Sequence, residues 1–177
     1  LGVDRMVVGG ASMGAATALH PALRLGDRVD ALVLVIPPTA WETRRAQVEL
    51  YEQMATIVDT SGVGPLIAGL AAAPVPDPFV GDGEYLPRRE AALRAAGPAR
   101  LAAAFRGAAY ADLPTRDRIA AISAPALVLA WTGDPGHPVS TADELAALLP
   151  HCETSIASTA EELAGWTDTV VDFLANR

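Results

Sequence analysis

The sequence has no lysine. All thirteen of its basic side chains are arginine, set against 21 acids, and the formal net charge is -8. The arginines are scattered and form no stripe, which excludes the electrostatic footprint of a nucleic-acid or anionic-membrane partner. Cysteine is almost absent: Cys152 stands alone, so no intrachain disulfide can form, and nothing points to a metal site. There is no signal-like start and no apolar run of membrane-spanning length. A cytoplasmic protein, without membrane attachment, is expected.

What is present is an apolar, alanine-rich background of globular type, with 51% hydrophobic residues over 177 positions, a length suited to one domain with a real core. Two buried-strand patterns come early, at 5–9 and at Ala31-Leu-Val-Leu-Val-Ile36, the second closed by Pro37-Pro38. Between them, 14–25 reads as a helix, with Pro21 expected to bend or shorten it. Strand, helix and strand within about thirty residues make a βαβ unit. The stretch 41–111 reads as a helical insertion: 41–58 has helical periodicity, 61–65 breaks it, Pro74, Pro76 and Pro78 break the chain again, 81–83 is a loop, and 88–96 and 99–109 read as two more helices. The α/β alternation then resumes: a short helix at 115–122, a strand at 126–131, a loop at 132–138, a helix, a short strand at 153–157 and a last helix. Ser140 or Thr141 is the expected cap of the first of these last two helices, and Ser158, with Glu161, of the second.

The segment with most chemical content is Gly10-Ala11-Ser12-Met13-Gly14, where the first strand gives way to a helix. A serine on so sharp a turn is lifted clear of the sheet, and glycines two residues to either side leave room for the reversal. The helix N-terminus points its N–H groups at the same spot, so the backbone N–H of Met13 is a candidate oxyanion donor. Gly9-x-Ala11-x-x-Gly14 is also a relaxed dinucleotide fingerprint, but that reading needs an acid at the end of the following strand. Asp30 is at its start. The cofactor reading therefore ranks below the nucleophile reading, and no cofactor or metal is assigned.

These features together resemble the α/β-hydrolase superfamily: the elbow at 10–14, the strand 31–36, a helical cap, and the loop Gly133-Asp134-Pro135-Gly136-His137-Pro138. The likeness is to cap-bearing esterase- and lactonase-like members, enol-lactone hydrolases included. It implies a parallel-sheet α/β fold with core residues 1–37, a helical cap insertion at 38–112 and core residues 113–177. It also implies Ser12 as nucleophile and Asp134 as the acid of a triad. The match covers only the family's C-terminal half, and the chain opens on Leu1, so an N-terminally truncated hydrolase is expected. A bare first-strand edge then predicts self-association.

In the family the base comes from the loop after the last strand, yet 156–161 contains no histidine. His20 lies two turns into the elbow helix, and His151 precedes the last strand at the far end of the sheet. His137 is at the correct end, three residues after Asp134, and reads first as a surface-loop histidine and second as a substitute base. Cys152 reads as buried and inert, and Glu161 and Glu162 as helix-cap acids. Trp41, Tyr51, Met54, Leu66 and Leu70 line an acyl pocket or merely pack the cap. Two functions follow: a serine hydrolase taking a small-molecule carboxylic ester or lactone through an acyl-enzyme, or a non-catalytic binding module that keeps the fold without the base.

Overall fold

The computed structural model describes residues 2–176. Four strands, β1 (Met6–Ala11), β2 (Val29–Val35), β3 (Ala126–Trp131) and β4 (Cys152–Ala157), form one parallel sheet in the order β1-β2-β3-β4. The two inner strands carry the unbroken aliphatic runs, and Leu32, Leu34, Leu127, Val128 and Leu129 are sealed from solvent. Such runs belong to strands covered on both faces. The outer strand β4 instead exposes Glu153 and Thr154.

Helix α1 (Met13–Leu25) follows β1 and runs through Pro21 to its C-cap at Gly26, so the proline does not shorten it. Its buried Ala15, Ala18, Leu19 and Ala22 form the 3–4-residue stripe of a core-facing helix. Helices α7 (Arg116–Ala120) and α8 (Val139–Leu148) precede β3 and β4. The last helical stretch is two helices, α9 (Ala160–Ala164) and α10 (Trp166–Ala175), divided at Gly165. Trp166 and Phe173 of α10 join Ala31, Leu127, Leu129 and Ala157 in one apolar cluster, with Trp131, Leu163, Val170 and Leu174 packed against it.

The chain divides into two compact units. One comprises 1–39, 76–78 and 113–177 and contains the sheet; the other comprises 40–75 and 79–112. The second is helical: α2 (Trp41–Arg45), α3 (Val48–Ser61), α4 (Gly64–Ala72), α5 (Tyr85–Ala96) and α6 (Pro98–Tyr110). Helix α4 has no counterpart in the sequence reading, which stopped at the Gly-Pro break. Pro65 stands in its first turn, where a missing N–H costs nothing. Within this unit Arg44 is buried, reaches the Ala108 carbonyl and lies over the Tyr51 ring. No helix among the described residues is long and apolar enough to cross a membrane.

Two helix caps differ from expectation. Helix α8 starts after Pro138, with no side-chain cap from Ser140 or Thr141. Ser140 and Thr141 are already its second and third residues, so neither stands at the cap position. Helix α9 is capped by Thr159 rather than Ser158, in a reciprocal box with Glu162. Ser158 adds its own N–H and hydroxyl to the Glu162 carboxylate. These bonds, led by the Ser158 amide, hold that carboxyl below the usual range.

Candidate active site

All four strands end at one rim of the sheet, and the site is built there. Ser12 occupies the junction between β1 and α1 with φ 54 and ψ -119, in the left-handed half of backbone space that L-residues avoid. Its N–H donates to the Val35 carbonyl at 2.9 Å, and its carbonyl accepts from Ala15 and Ala16. Ser12 therefore holds the strained conformation through its backbone, and its side chain makes no cap hydrogen bond to the helix.

The glycines do not share the work equally. A Cβ at Gly10 would fall 2.5 Å from the backbone of Gly14, and one at Gly9 would fall 2.7 Å from the Val33 carbonyl oxygen. A Cβ at Gly14 would meet nothing within 4 Å. The expectation of symmetrical clearance is corrected: the turn needs a bare residue before the serine, where strand and helix nearly touch, while the residue after it faces open space.

Residues 134–137 form the second half of the site. The His137 N–H donates to the Asp134 carbonyl at 3.2 Å, and the Gly136 N–H donates to Asp134 Oδ1 at 2.9 Å. This is a β-turn with proline and glycine at its two centres and an Asx bond inside it. Its neighbours are fixed as well. Gly136 accepts from the Thr39 N–H, and the Asp77 N–H donates to the Thr132 carbonyl. Gly133 has φ 77, and a Cβ there would strike Asp77.

A β-turn brings its first and fourth residues together, and here those are the acid and a histidine. His137 Nδ1 lies 2.8 Å from Asp134 Oδ2, and His137 Nε2 lies 2.7 Å from Ser12 Oγ. The reading of His137 as a surface-loop residue is corrected: its side chain is four-fifths buried and sits between Asp134 and Ser12. His20 and His151 are exposed, and it is His137 that meets the Ser12 hydroxyl. The stretch after β4 is consumed by the Thr159–Glu162 cap. Asp30, the acid weighed for ribose binding, is at the opposite rim, paired with Arg5.

Electrostatics fixes the proton positions. Burial of the Asp134 carboxyl raises its pKa. The hydrogen bond and charge of His137, then the Trp131 indole and the Gly136 amide, more than offset this and hold it at about 2. An ionised carboxylate only accepts, so Nδ1 of His137 carries a proton. In the neutral ring Nε2 is then an acceptor, and the Ser12 hydroxyl donates to it. Trp131, the last residue of β3, donates its indole N–H to the same Asp134 Oδ2 at 2.9 Å. Met13 is the first residue of α1, a position whose amide N–H has no intrahelical acceptor. Cys152 is half-buried, and burial pushes its thiol up to about 11. No group of three or more metal-binding side chains occurs among the described residues.

A parallel sheet with a serine on a strained strand–helix turn, a helical insertion and an acid loop after the next-to-last strand is the α/β-hydrolase fold. Among solved structures, the chain is similar to an esterase from Thermogutta terrifontis (TM-score 0.78, 23% identity, 98% of this chain and 65% of that one). It is also similar to the enol-lactonase from Burkholderia xenovorans (TM-score 0.73, 24% identity, 98% and 66%). A hydrolase from Pseudomonas aeruginosa gives TM-score 0.79 at 24% identity, over 97% and 65%. The chain thus spans just under two thirds of the length of these structures. No family model and no curated protein matches the sequence.

Proposed function

We propose that the chain is a serine hydrolase acting on a carboxylic ester or lactone through an acyl-enzyme, with Ser12 as nucleophile, His137 as base and Asp134 as its orienting acid. The observation that carries this is the unbroken line of hydrogen bonds from Ser12 Oγ through the His137 ring to Asp134 Oδ2. Ser12 Oγ attacks the substrate carbonyl carbon while its proton passes to His137 Nε2. The carbonyl oxygen becomes an oxyanion, held in part by the Met13 N–H. The tetrahedral species collapses, and Nε2 returns the proton to the leaving alkoxide. Water then loses a proton to Nε2 and attacks the acyl group, releasing the carboxylic acid and regenerating the Ser12 hydroxyl. Asp134 stays ionised throughout, in keeping with its depressed pKa.

The likeness to a solved esterase and a solved enol-lactonase supports the ester or lactone class. The competing reading, a binding module on a hydrolase scaffold, rested on the want of a base, and the position of His137 beside Ser12 supports the enzyme over it. A fluorophosphonate probe separates the two. Labelling that disappears in Ser12→Ala and in His137→Ala is expected. A folded protein that takes up no probe, or takes it up equally without Ser12, would leave the binding module as the reading.

A further inference from the structure

Asp134 and His137 lie on a loop, yet donors besides the histidine reach both oxygens of the Asp134 carboxylate. Local turn bonds account for Asp134 Oδ1, which the Gly136 amide holds. They do not account for Oδ2, the oxygen that faces the histidine. Oδ2 has a second donor, the indole N–H of Trp131, 2.9 Å away.

Trp131 is placed to act as an anchor. It ends β3, paired with the fully buried Ala157 of β4, so its backbone belongs to the sheet rather than the loop. Its ring lies nearly parallel to Trp166 of α10, with centroids 6.0 Å apart and planes 4° from parallel. A second aromatic neighbour is the His137 imidazole, which meets it edge-on at 6.5 Å and 84°. The indole is thus braced by a helix on one side, and on the other it touches both members of the acid–base pair.

We propose that Trp131 is a positioning residue for the Asp134–His137 pair: its N–H pins Oδ2 in the orientation that receives His137 Nδ1–H, and its ring limits rotation of the imidazole away from Ser12. This rests on the assignment of His137 as base made above. Trp131 touches no reacting atom. It acts through Asp134, and its contribution is to the fraction of molecules in which Nε2 faces the serine hydroxyl.

The test replaces the donor and keeps the shape. Trp131→Phe retains an aromatic ring against Trp166 and lacks the N–H. Should that variant not fold, benzothienylalanine at position 131 puts sulfur in place of the N–H on a ring system of the same outline. Two quantities are read: the second-order rate of fluorophosphonate labelling, and the low-field proton resonance of His137 Nδ1–H, identified by its loss in His137→Ala. In either variant the rate is expected to fall by about tenfold, the size of one hydrogen bond to a charged group, and the resonance is expected to move. Wild-type labelling with an unmoved resonance would overturn the proposal. So would equal losses in Trp166→Phe, which leaves the donor in place, because the effect would then be one of packing. If His137→Ala itself labels at the wild-type rate, the assignment of the base fails and not the anchoring of Asp134.

Discussion

Ser12 Oγ and His137 Nε2 lie 2.7 Å apart across 125 residues of sequence, and the whole helical insertion lies between them along the chain. The contact has a simple origin. Ser12 ends at the rim of β1 and His137 follows β3, and in a parallel sheet the carboxyl ends of the strands meet at one edge.

This relationship singles out His137 among the three histidines for substitution. Replacing it by alanine or glutamine is expected to lower serine labelling and ester turnover by about four orders of magnitude, as loss of one member of a serine triad does elsewhere. His20→Ala and His151→Ala are expected to behave as wild type. Labelling rates of the four purified variants provide the check, and a silent His137 variant beside an inactive His20 or His151 variant would reverse the assignment.

The two elbow glycines are expected to respond differently. Gly10→Ala forces a methyl to within 2.5 Å of the Gly14 backbone and is expected to cost at least about 2 kcal/mol in stability, with loss of labelling. Gly14→Ala enters open space and is expected to fold. Thermal unfolding of both variants decides the matter, since a symmetrical elbow would damage them equally.

Strain at the serine predicts a trade of function for stability. Ser12 holds φ 54 with a Cβ, a conformation that costs on the order of 1 kcal/mol and that glycine adopts freely. Ser12→Gly is therefore expected to unfold at a higher temperature than Ser12→Ala, with neither variant labelling. Equal melting temperatures would show the turn to be relaxed.

The Asp134 carboxyl links stability to acidity. Its pKa is about 2 in the folded chain and near the ordinary 3.8 when unfolded. A group depressed in this way stabilises the fold above its unfolded pKa and loses that contribution as pH falls toward the folded value. The difference corresponds to about 2 kcal/mol, lost between about pH 5 and pH 2. Urea unfolding of the wild type across this window, set against Asp134→Asn, is expected to show the gap between them closing as the solution is acidified. Parallel curves would contradict the linkage.

Much of this architecture is legible in the residues. The aliphatic runs at 31–36 and 126–131 have no polar face, which leaves only a covered strand, and the glycine–serine–glycine junction announces the turn through the space it requires. The His137 contact was not legible for a definite reason. Reading His137 as remote treats three residues as distance, but Asp134-Pro135-Gly136-His137 carries turn chemistry at both central positions, and a β-turn folds that distance back to contact. The signal was the Pro-Gly pair. The cap at Thr159 was misplaced by one residue because Ser158 and Thr159 are equally good acceptors, and only the reach of Glu162 selects between them. The anchoring indole had no sequence signature: a tryptophan ending an apolar strand is indistinguishable from a core residue until its N–H is seen to meet a carboxylate.

That Asp134 and His137 share a single turn also governs how their pairing is kept. When two such groups come from separate loops, either can drift and spoil the pair. Here both sit on one turn that the Trp131 indole ties to the end of β3, so their mutual spacing is set locally and the placement of that turn sets the gap to the hydroxyl.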